Sequence, residues 1–101
     1  VMLPRLQRLP VGETTQLFAC SDEHIGIDEY DLASQILVSH HVHWRDGVAT
    51  STSLPCRYVW PSELDLMAQL AGTHLYERCA GWQGEAFTGQ SEAHVSVWQR
   101  D

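Results

Sequence analysis

The sequence contains three histidines within four positions, His40, His41 and His43. On a β-strand, neighbouring side chains point to opposite faces, so His41 and His43 would share one face and His40 would lie on the other. Two imidazoles on one strand face could bind zinc if His24, His74 or a cysteine supplied a third ligand. The pattern His-x-His is also common on solvated strand faces. Because no third ligand stands at a recognisable spacing, the sequence favours a solvated face and predicts no metal site.

A second group of residues could bind a small molecule. His40 is predicted on the more apolar face, where an imidazole could orient a substrate hydroxyl or accept its proton. A hydrogen-bonded core histidine is the alternative interpretation. Tyr30, Tyr58 and Trp60 offer broad apolar rings with polar tips, which suits the wall of a ligand cavity, although simple packing would use the same residues. We therefore expect these four residues to bind substrate, whereas no catalytic residue is assigned.

The clearest element that could position these side chains is a β-hairpin. Residues 34–45 are rich in branched and aromatic types, and Asp46-Gly47 is a favoured pair for a two-residue type I′ turn. Such a turn fixes the register and places His40 opposite Ser53. Pro55 is predicted to end the pairing of the second strand, because proline cannot donate a backbone hydrogen bond.

The other elements are predicted from turn residues and periodicity. A helix over residues 61–72 begins at Pro61 and ends at Gly72, and Ser62 with Asp65 matches a capping box. Its apolar residues recur at helical spacing, so we expect one face to be buried. Strands are predicted over residues 16–20, 25–30 with a bulge at Gly26, 73–79 and 93–99.

Composition restricts the class of protein. The 101 residues carry 13 acidic and 6 basic side chains, a net charge of −7, and 44% apolar residues, which is typical of a folded domain. No basic cluster is present that could neutralise a run of phosphates, so nucleic acid is not an expected partner. The longest uncharged run, residues 32–44, is too short to span a membrane. Three cysteines without a Cys-x-x-Cys pairing favour reduced thiols and a cytoplasmic location.

Residues 57–72, RYVWPSELDLMAQLAG, together with residues 73–98, resemble the C-terminal end of class I S-adenosylmethionine-dependent methyltransferases of the small-molecule type. In that family an aromatic residue and a proline lead into a helix ending in Ala-Gly, and two antiparallel strands then close the sheet. Residues 24–41 resemble the antiparallel insertion that precedes this helix. The resemblance implies an α+β fragment of a Rossmann-like sheet with four parts: a strand end and loop (1–15), an antiparallel insertion (16–58), a helix (61–72) and a terminal strand pair (73–99).

The chain departs from this family in one respect, since it contains no Gly-x-Gly and therefore lacks the acidic-GxGxG turn that binds the cofactor. The resemblance then implies that S-adenosylmethionine is bound by an upstream half of the full-length protein and not by this segment. Val1 to Leu3 would be the tail of the fifth strand, and residues 93–99 would have an exposed edge. The expected partners are a small-molecule acceptor and either the N-terminal half of the same domain or a strand-exchanged copy.

Two alternatives remain open from the sequence. The chain could be a self-contained α+β module that encloses an apolar ligand with His40 as the polar anchor, or a metal-dependent enzyme using His41 and His43. A reading frame that begins near Val1 would favour the module. One that extends upstream into an acidic-GxGxG turn would favour the methyltransferase.

Overall fold

The computed structural model describes residues 1–101, which divide into two compact units. Leu6–Tyr58 form one unit, called the meander unit below, and Val1–Arg5 with Val59–Asp101 form the other, called the helix unit. The chain has one α-helix of 10 residues, so no helix is long enough to cross a membrane.

The meander unit is a four-stranded antiparallel sheet in which each strand pairs with the next in sequence. A 3-10 turn, Leu6–Arg8, precedes the sheet. The strands lie in the order β1-β2-β3-β4 and comprise β1 (Thr15–Cys20), β2 (His24–Asp31), β3 (Ile36–Arg45) and β4 (Val48–Arg57). β1 and β4 are therefore the edge strands.

The predicted hairpin is confirmed in β3 and β4. Asp46 (φ 52°) and Gly47 (φ 76°) both adopt the left-handed backbone of a type I′ turn, and His40 pairs with Ser53 as expected. The prediction that Pro55 ends the pairing is wrong, since Pro55 pairs with Val38 and β4 continues for two more residues. A proline is tolerated there because β4 is an edge strand, where a missing N–H group can face away from the neighbouring strand.

The predicted bulge at Gly26 is also placed differently. The irregularity lies in β1, between Leu17 and Ala19, and Gly26 is paired with Ala19 in regular fashion. The extra residue in β1 is Phe18, whose ring covers Gly26 so closely that a Cβ atom at position 26 would lie 2.3 Å from Phe18 Cζ. Position 26 therefore requires glycine because an aromatic ring occupies the space of a side chain.

The helix unit consists of α1 (Pro61–Leu70), β5 (Thr73–Cys79) and β6 (Val95–Arg100). β5 and β6 form an antiparallel pair, and Met2 forms an isolated antiparallel bridge with Ala93. The strand pair thus agrees with the sequence prediction to within two residues at each end. Proline at the first helical position and Gly72 (φ 80°) beyond the last turn define the two ends of α1.

The predicted capping box is wrong, because Trp60 is the N-cap residue and no side chain caps the helix. Asp65 instead accepts two hydrogen bonds from Arg78, at 2.6 and 3.0 Å, and one from Trp98 Nε1 at 3.0 Å. The hydrogen bonds from Arg78 hold the pKa of Asp65 below its usual value despite its partial burial. This carboxylate therefore joins α1 to both strands of the helix unit.

The prediction that α1 buries one apolar face is correct only in part. Leu64 and Ala68 are half-buried, whereas Met67 and Leu70, which the periodicity assigned to the buried side, are exposed within this unit. The physical reason is that α1 packs on β5, the nearer strand of a two-stranded sheet that is too narrow to cover a whole helix face.

Candidate functional site

The register of the sheet divides its polar side chains between two faces. His24 pairs with His43, and His41 pairs with Gly26, so the three imidazoles lie on one face. We call His24, His41 and His43 the histidine cluster. His40 pairs with Ile27 and points to the opposite face. The histidine cluster and His40 therefore belong to separate sites.

On the opposite face, Ser53, His40 and Glu29 form a hydrogen-bonded row. His40 Nδ1 lies 2.7 Å from Ser53 Oγ, and His40 Nε2 lies 2.9 Å from Glu29 Oε2. When Ser53 donates its hydroxyl proton to Nδ1, Nε2–H donates to the Glu29 carboxylate. Such a row can pass a proton from a bound hydroxyl or amine through Ser53 Oγ to the imidazole, and the carboxylate stabilises the resulting cation.

This row is open to ligands. The side chain of His40 is 35% exposed and that of Glu29 is 58% exposed. Glu29 also lines a groove of about 490 Å³ together with Tyr30, Ile36 and Val38. The groove combines two carboxylates, those of Glu29 and Asp31, and three threonine or serine hydroxyls with the apolar residues, so it offers a ligand both polar and apolar contacts.

The structure brings two of the predicted substrate-binding residues together. Tyr30 and Tyr58 are 7% and 8% exposed, and their rings meet edge to face with centroids 5.5 Å apart. The Tyr58 hydroxyl donates to the backbone oxygen of Asp31, and burial, followed by the Asp31 carboxylate, raises the pKa of Tyr58. The pair forms the apolar core at one end of the meander unit, and Tyr30 alone reaches the groove.

The remaining two predicted residues are placed separately. His40 points away from the face that carries Tyr30, because Tyr30 pairs with Leu37 and His40 lies an odd number of residues further along β3. Trp60 belongs to the helix unit, where it is the half-buried N-cap residue of α1. The roles of all four as substrate-binding residues stay predictions.

The histidine cluster is more compact than the sequence pattern suggested. His24 Nε2 lies 2.9 Å from His41 Nδ1, and the candidate ligand nitrogens of the three imidazoles all lie within 4.8 Å of one another. Burial and the nearby His43 and His41 lower the pKa of His24. His74, the other histidine considered as a third ligand, lies in the helix unit and pairs with Asp101 at 2.6 Å.

Sequence reasoning did not find Glu29, and it offered His24 only as one candidate third ligand for His41 and His43, beside His74 and the cysteines. Both shortfalls have one cause, the unassigned pairing between β2 and β3. The two strands were predicted, and a short link between neighbouring strands is the usual signal of a hairpin. Pairing Asp31 with Ile36 would have placed Glu29 diagonally beside His40 and His24 opposite His43.

This chain lacks the glycine-rich turn by which doubly wound folds bind a nucleoside cofactor. In those folds a strand, the turn and a helix N-terminus follow in succession. The N-terminus of α1 follows Trp60 without a glycine, and the glycines with left-handed backbone lie in turns or beyond the helix end. These are Gly12, Gly47, Gly72 and Gly84.

The architecture is an α+β arrangement of an antiparallel meander, one helix and a strand pair, and its likeness to a solved structure supports a methyltransferase-like fragment. That structure is the methyltransferase CcbJ from Streptomyces caelestis, with a TM-score of 0.78 and 33% sequence identity. The match covers 98% of this chain and 41% of CcbJ, so the chain spans less than half the length of that protein. No protein-family model and no curated protein matches the chain.

Proposed function

We propose that this chain is the C-terminal, acceptor-side part of a class I S-adenosylmethionine-dependent methyltransferase that acts on a small molecule. The observation that carries the proposal is the likeness to CcbJ, with 33% identity over 98% of the chain. Because the chain spans 41% of CcbJ, residues outside it would bind the cofactor and complete a Rossmann-like sheet. The segment alone would then be inactive.

The meander unit would bind the acceptor and receive its proton. Methylation of a hydroxyl or an amine removes one proton from that group, and the row formed by Ser53, His40 and Glu29 is suited to accept it. The adjoining groove, in which Ile36 and Val38 of β3 lie on the same face as His40, would hold the apolar part of the acceptor. His40 is thus our candidate proton acceptor, with Glu29 as its orienting partner.

The helix unit would contact the rest of the methyltransferase domain. Its exposed apolar side chains are too numerous for an isolated surface and include Leu66, Leu70, Tyr76 and Trp82. The N-terminal half of the same domain would cover them, since the chain accounts for less than half of the matching protein. A strand-exchanged copy of the chain is the other possible occupant, and it would give a dimer in sedimentation analysis of the isolated chain.

The three free cysteines, Cys20, Cys56 and Cys79, agree with a cytoplasmic location. Two of them are exposed, and exposed thiols persist in a reducing compartment. We therefore place the protein in the cytoplasm as part of the same proposal.

The experiment compares variants of the complete polypeptide that contains residues 1–101. Release of S-adenosylhomocysteine is measured with a panel of small amines and phenols as acceptors. His40→Gln should lower kcat by about 10²- to 10⁴-fold, the contribution of a positioned proton acceptor, and leave the affinity for S-adenosylmethionine unchanged. Glu29→Gln should shift the pH dependence of kcat, because the charge that stabilises the imidazolium is lost.

His74→Gln is the matched control, because it alters one exposed imidazole of the helix unit. It should keep full activity. If no acceptor supports S-adenosylhomocysteine release, the methyltransferase proposal fails as a whole. If methyl transfer occurs and His40→Gln matches the control, the proposal for the proton acceptor fails by itself.

A further inference from the structure

We propose that His24, His41 and His43 form a binding site for a zinc ion. The proposal is independent of the methyl-transfer function, because it concerns the opposite face of the sheet. It rests on the geometry of the histidine cluster, on the residues that hold its rings and on the charge of the groove beside it.

The distances among the imidazole nitrogens are close to those of a zinc site. Tetrahedral zinc with Zn–N bonds of about 2.0–2.1 Å places its ligand nitrogens about 3.4 Å apart. The His24 and His41 nitrogens are 2.9 Å apart, and the widest pair in the cluster is within 4.8 Å. The three ring planes lie within 3° of parallel, and an imidazole lone pair lies in its ring plane, so the ring of His43 must also turn out of its stack with His24 to direct a nitrogen at the ion. This turn, together with side-chain shifts of about 1 Å, would complete the coordination. When zinc binds, the proton shared by His24 Nε2 and His41 Nδ1 moves through solvent to His24 Nδ1, so that both nitrogens offer a lone pair to the ion.

Ring contacts hold His24 and His41 beside each other before any ion binds. The imidazoles of His24 and His43 stack with centroids 4.3 Å apart and planes within 3° of parallel. Phe18 packs edge-on against His41 at 5.3 Å and against His24 at 6.3 Å. The ring of Phe18 can reach this place because position 26 is glycine. Phe18 therefore restrains two of the three ligand rings, those of His24 and His41, which lowers the entropic cost of arranging these two, whereas the ring of His43 must turn.

Ser39 supplies the outer contact that a zinc-bound histidine needs. Its hydroxyl lies 3.1 Å from His41 Nε2. When Nε2–H donates to Ser39 Oγ, Nδ1 of His41 keeps its lone pair and directs it towards His24. Metal-binding histidines usually have such a partner on the second nitrogen, which fixes the tautomer.

The groove beside His43 favours a cation. This groove measures about 860 Å³ and is lined by His43, Trp44, Arg45 and three carboxylates, those of Asp22, Glu23 and Asp46. The carboxylates outnumber the single guanidinium, so the local charge attracts a divalent ion. Three nitrogen ligands also leave a fourth zinc position for water, which is the composition of an open zinc site.

The test uses the chain without an added histidine tag. After equilibrium dialysis against zinc, elemental analysis should find one zinc ion per chain, and cobalt(II) should give the intense visible absorption of tetrahedral coordination. His41→Ala, which removes a ligand, should abolish both signals. Ser39→Ala should weaken zinc binding by about 10- to 100-fold, as expected for a lost outer contact, with the sheet intact by circular dichroism.

His74→Ala is the matched control, and it should bind zinc like the unmodified chain. Three results would overturn the proposal: zinc below stoichiometric amounts, equal zinc in His41→Ala and the control, or the weak absorption of octahedral cobalt. Ser39→Ala keeps the test decisive if His41→Ala fails to fold, since unchanged zinc affinity in Ser39→Ala would also contradict the proposed geometry.

Discussion

The close contact between Phe18 and Gly26 predicts a strong energetic coupling between these two positions. A Cβ atom at position 26 would lie 2.3, 2.5 and 2.9 Å from three atoms of the Phe18 ring. All three distances are shorter than real Cβ contacts allow, so Gly26→Ala must displace the ring. The displaced ring would also lose its edge-on contacts with His24 and His41.

The magnitude follows from the two single substitutions. Forcing a methyl group into an occupied space costs about 1–3 kcal/mol, and replacing a strand glycine returns about 0.5–1 kcal/mol of backbone entropy. The expected net cost of Gly26→Ala is therefore about 0–2.5 kcal/mol. Phe18→Ala should cost about 2 kcal/mol, below the range for a fully buried ring, because Phe18 is half-buried.

In the double variant the new methyl group enters the space that the ring has left. The total loss should then be no larger than that of Phe18→Ala alone, and the coupling free energy should equal the relieved steric cost, about 1–3 kcal/mol. The assay is urea unfolding followed by the fluorescence of Trp44, the one tryptophan of the meander unit. Gly89→Ala is the control, since a Cβ atom there meets nothing within 4 Å. Additive losses from the two single variants would refute the contact.

Further predictions concern the helix unit. Asp65→Asn should lower the free energy of unfolding by about 2 kcal/mol, because Arg78 is only 12% exposed and loses its charged partner. The control Glu77→Gln, which changes an exposed carboxylate, should alter the free energy of unfolding by less than about 0.5 kcal/mol. Equal effects of the two substitutions would contradict the assigned ion pair. The folded-state pKa of Asp65 is lowered from 3.8, so its contribution to stability is present above that pH and is lost as the pH falls. The unfolding free energy of Asp65→Asn should therefore depend less on pH in that range than the unfolding free energy of the unmodified chain. Burial lowers the pKa of His94 below 6.5, so His94 is protonated more readily in the unfolded chain, and stability should fall as the pH drops below 6.5. Urea unfolding of His94→Gln should therefore show a flatter dependence of the unfolding free energy on pH. An unchanged pH dependence would contradict the lowered pKa of His94.

The hairpin of β3 and β4 could be predicted residue by residue because its turn carries a strong local signal. Asp46-Gly47 accepts the left-handed backbone of a two-residue turn, and that turn fixes every pair along both strands. The link between β2 and β3 is short enough to indicate a hairpin, but it contains no turn residues that fix the register. Gln35 in this link has a φ of 56°, a left-handed conformation that is uncommon for residues other than glycine and that the sequence does not predict. The register that brings Glu29 beside His40 could therefore not be predicted from the sequence.

Long-range contacts account for the remaining differences. Asp65 has the right spacing from Ser62 for a capping box, yet Arg78 and Trp98 bind it across the helix unit. A charge-assisted pair with the mostly buried Arg78 is stronger than a helix cap, and no local pattern reveals it. Phe18 is similar, since only the position of β1 beside β2 shows that Gly26 makes room for its ring.

The central claim is that this chain is the acceptor-side part of a methyltransferase whose cofactor is bound elsewhere in the polypeptide. Isothermal titration with S-adenosylmethionine, carried out on residues 1–101 and on the complete translated polypeptide, tests it most directly. We predict binding by the complete polypeptide, with an acidic-GxGxG turn upstream of Val1, and no binding by residues 1–101. Micromolar binding by residues 1–101 alone, or a reading frame that begins at Val1 and binds no cofactor, would contradict the claim.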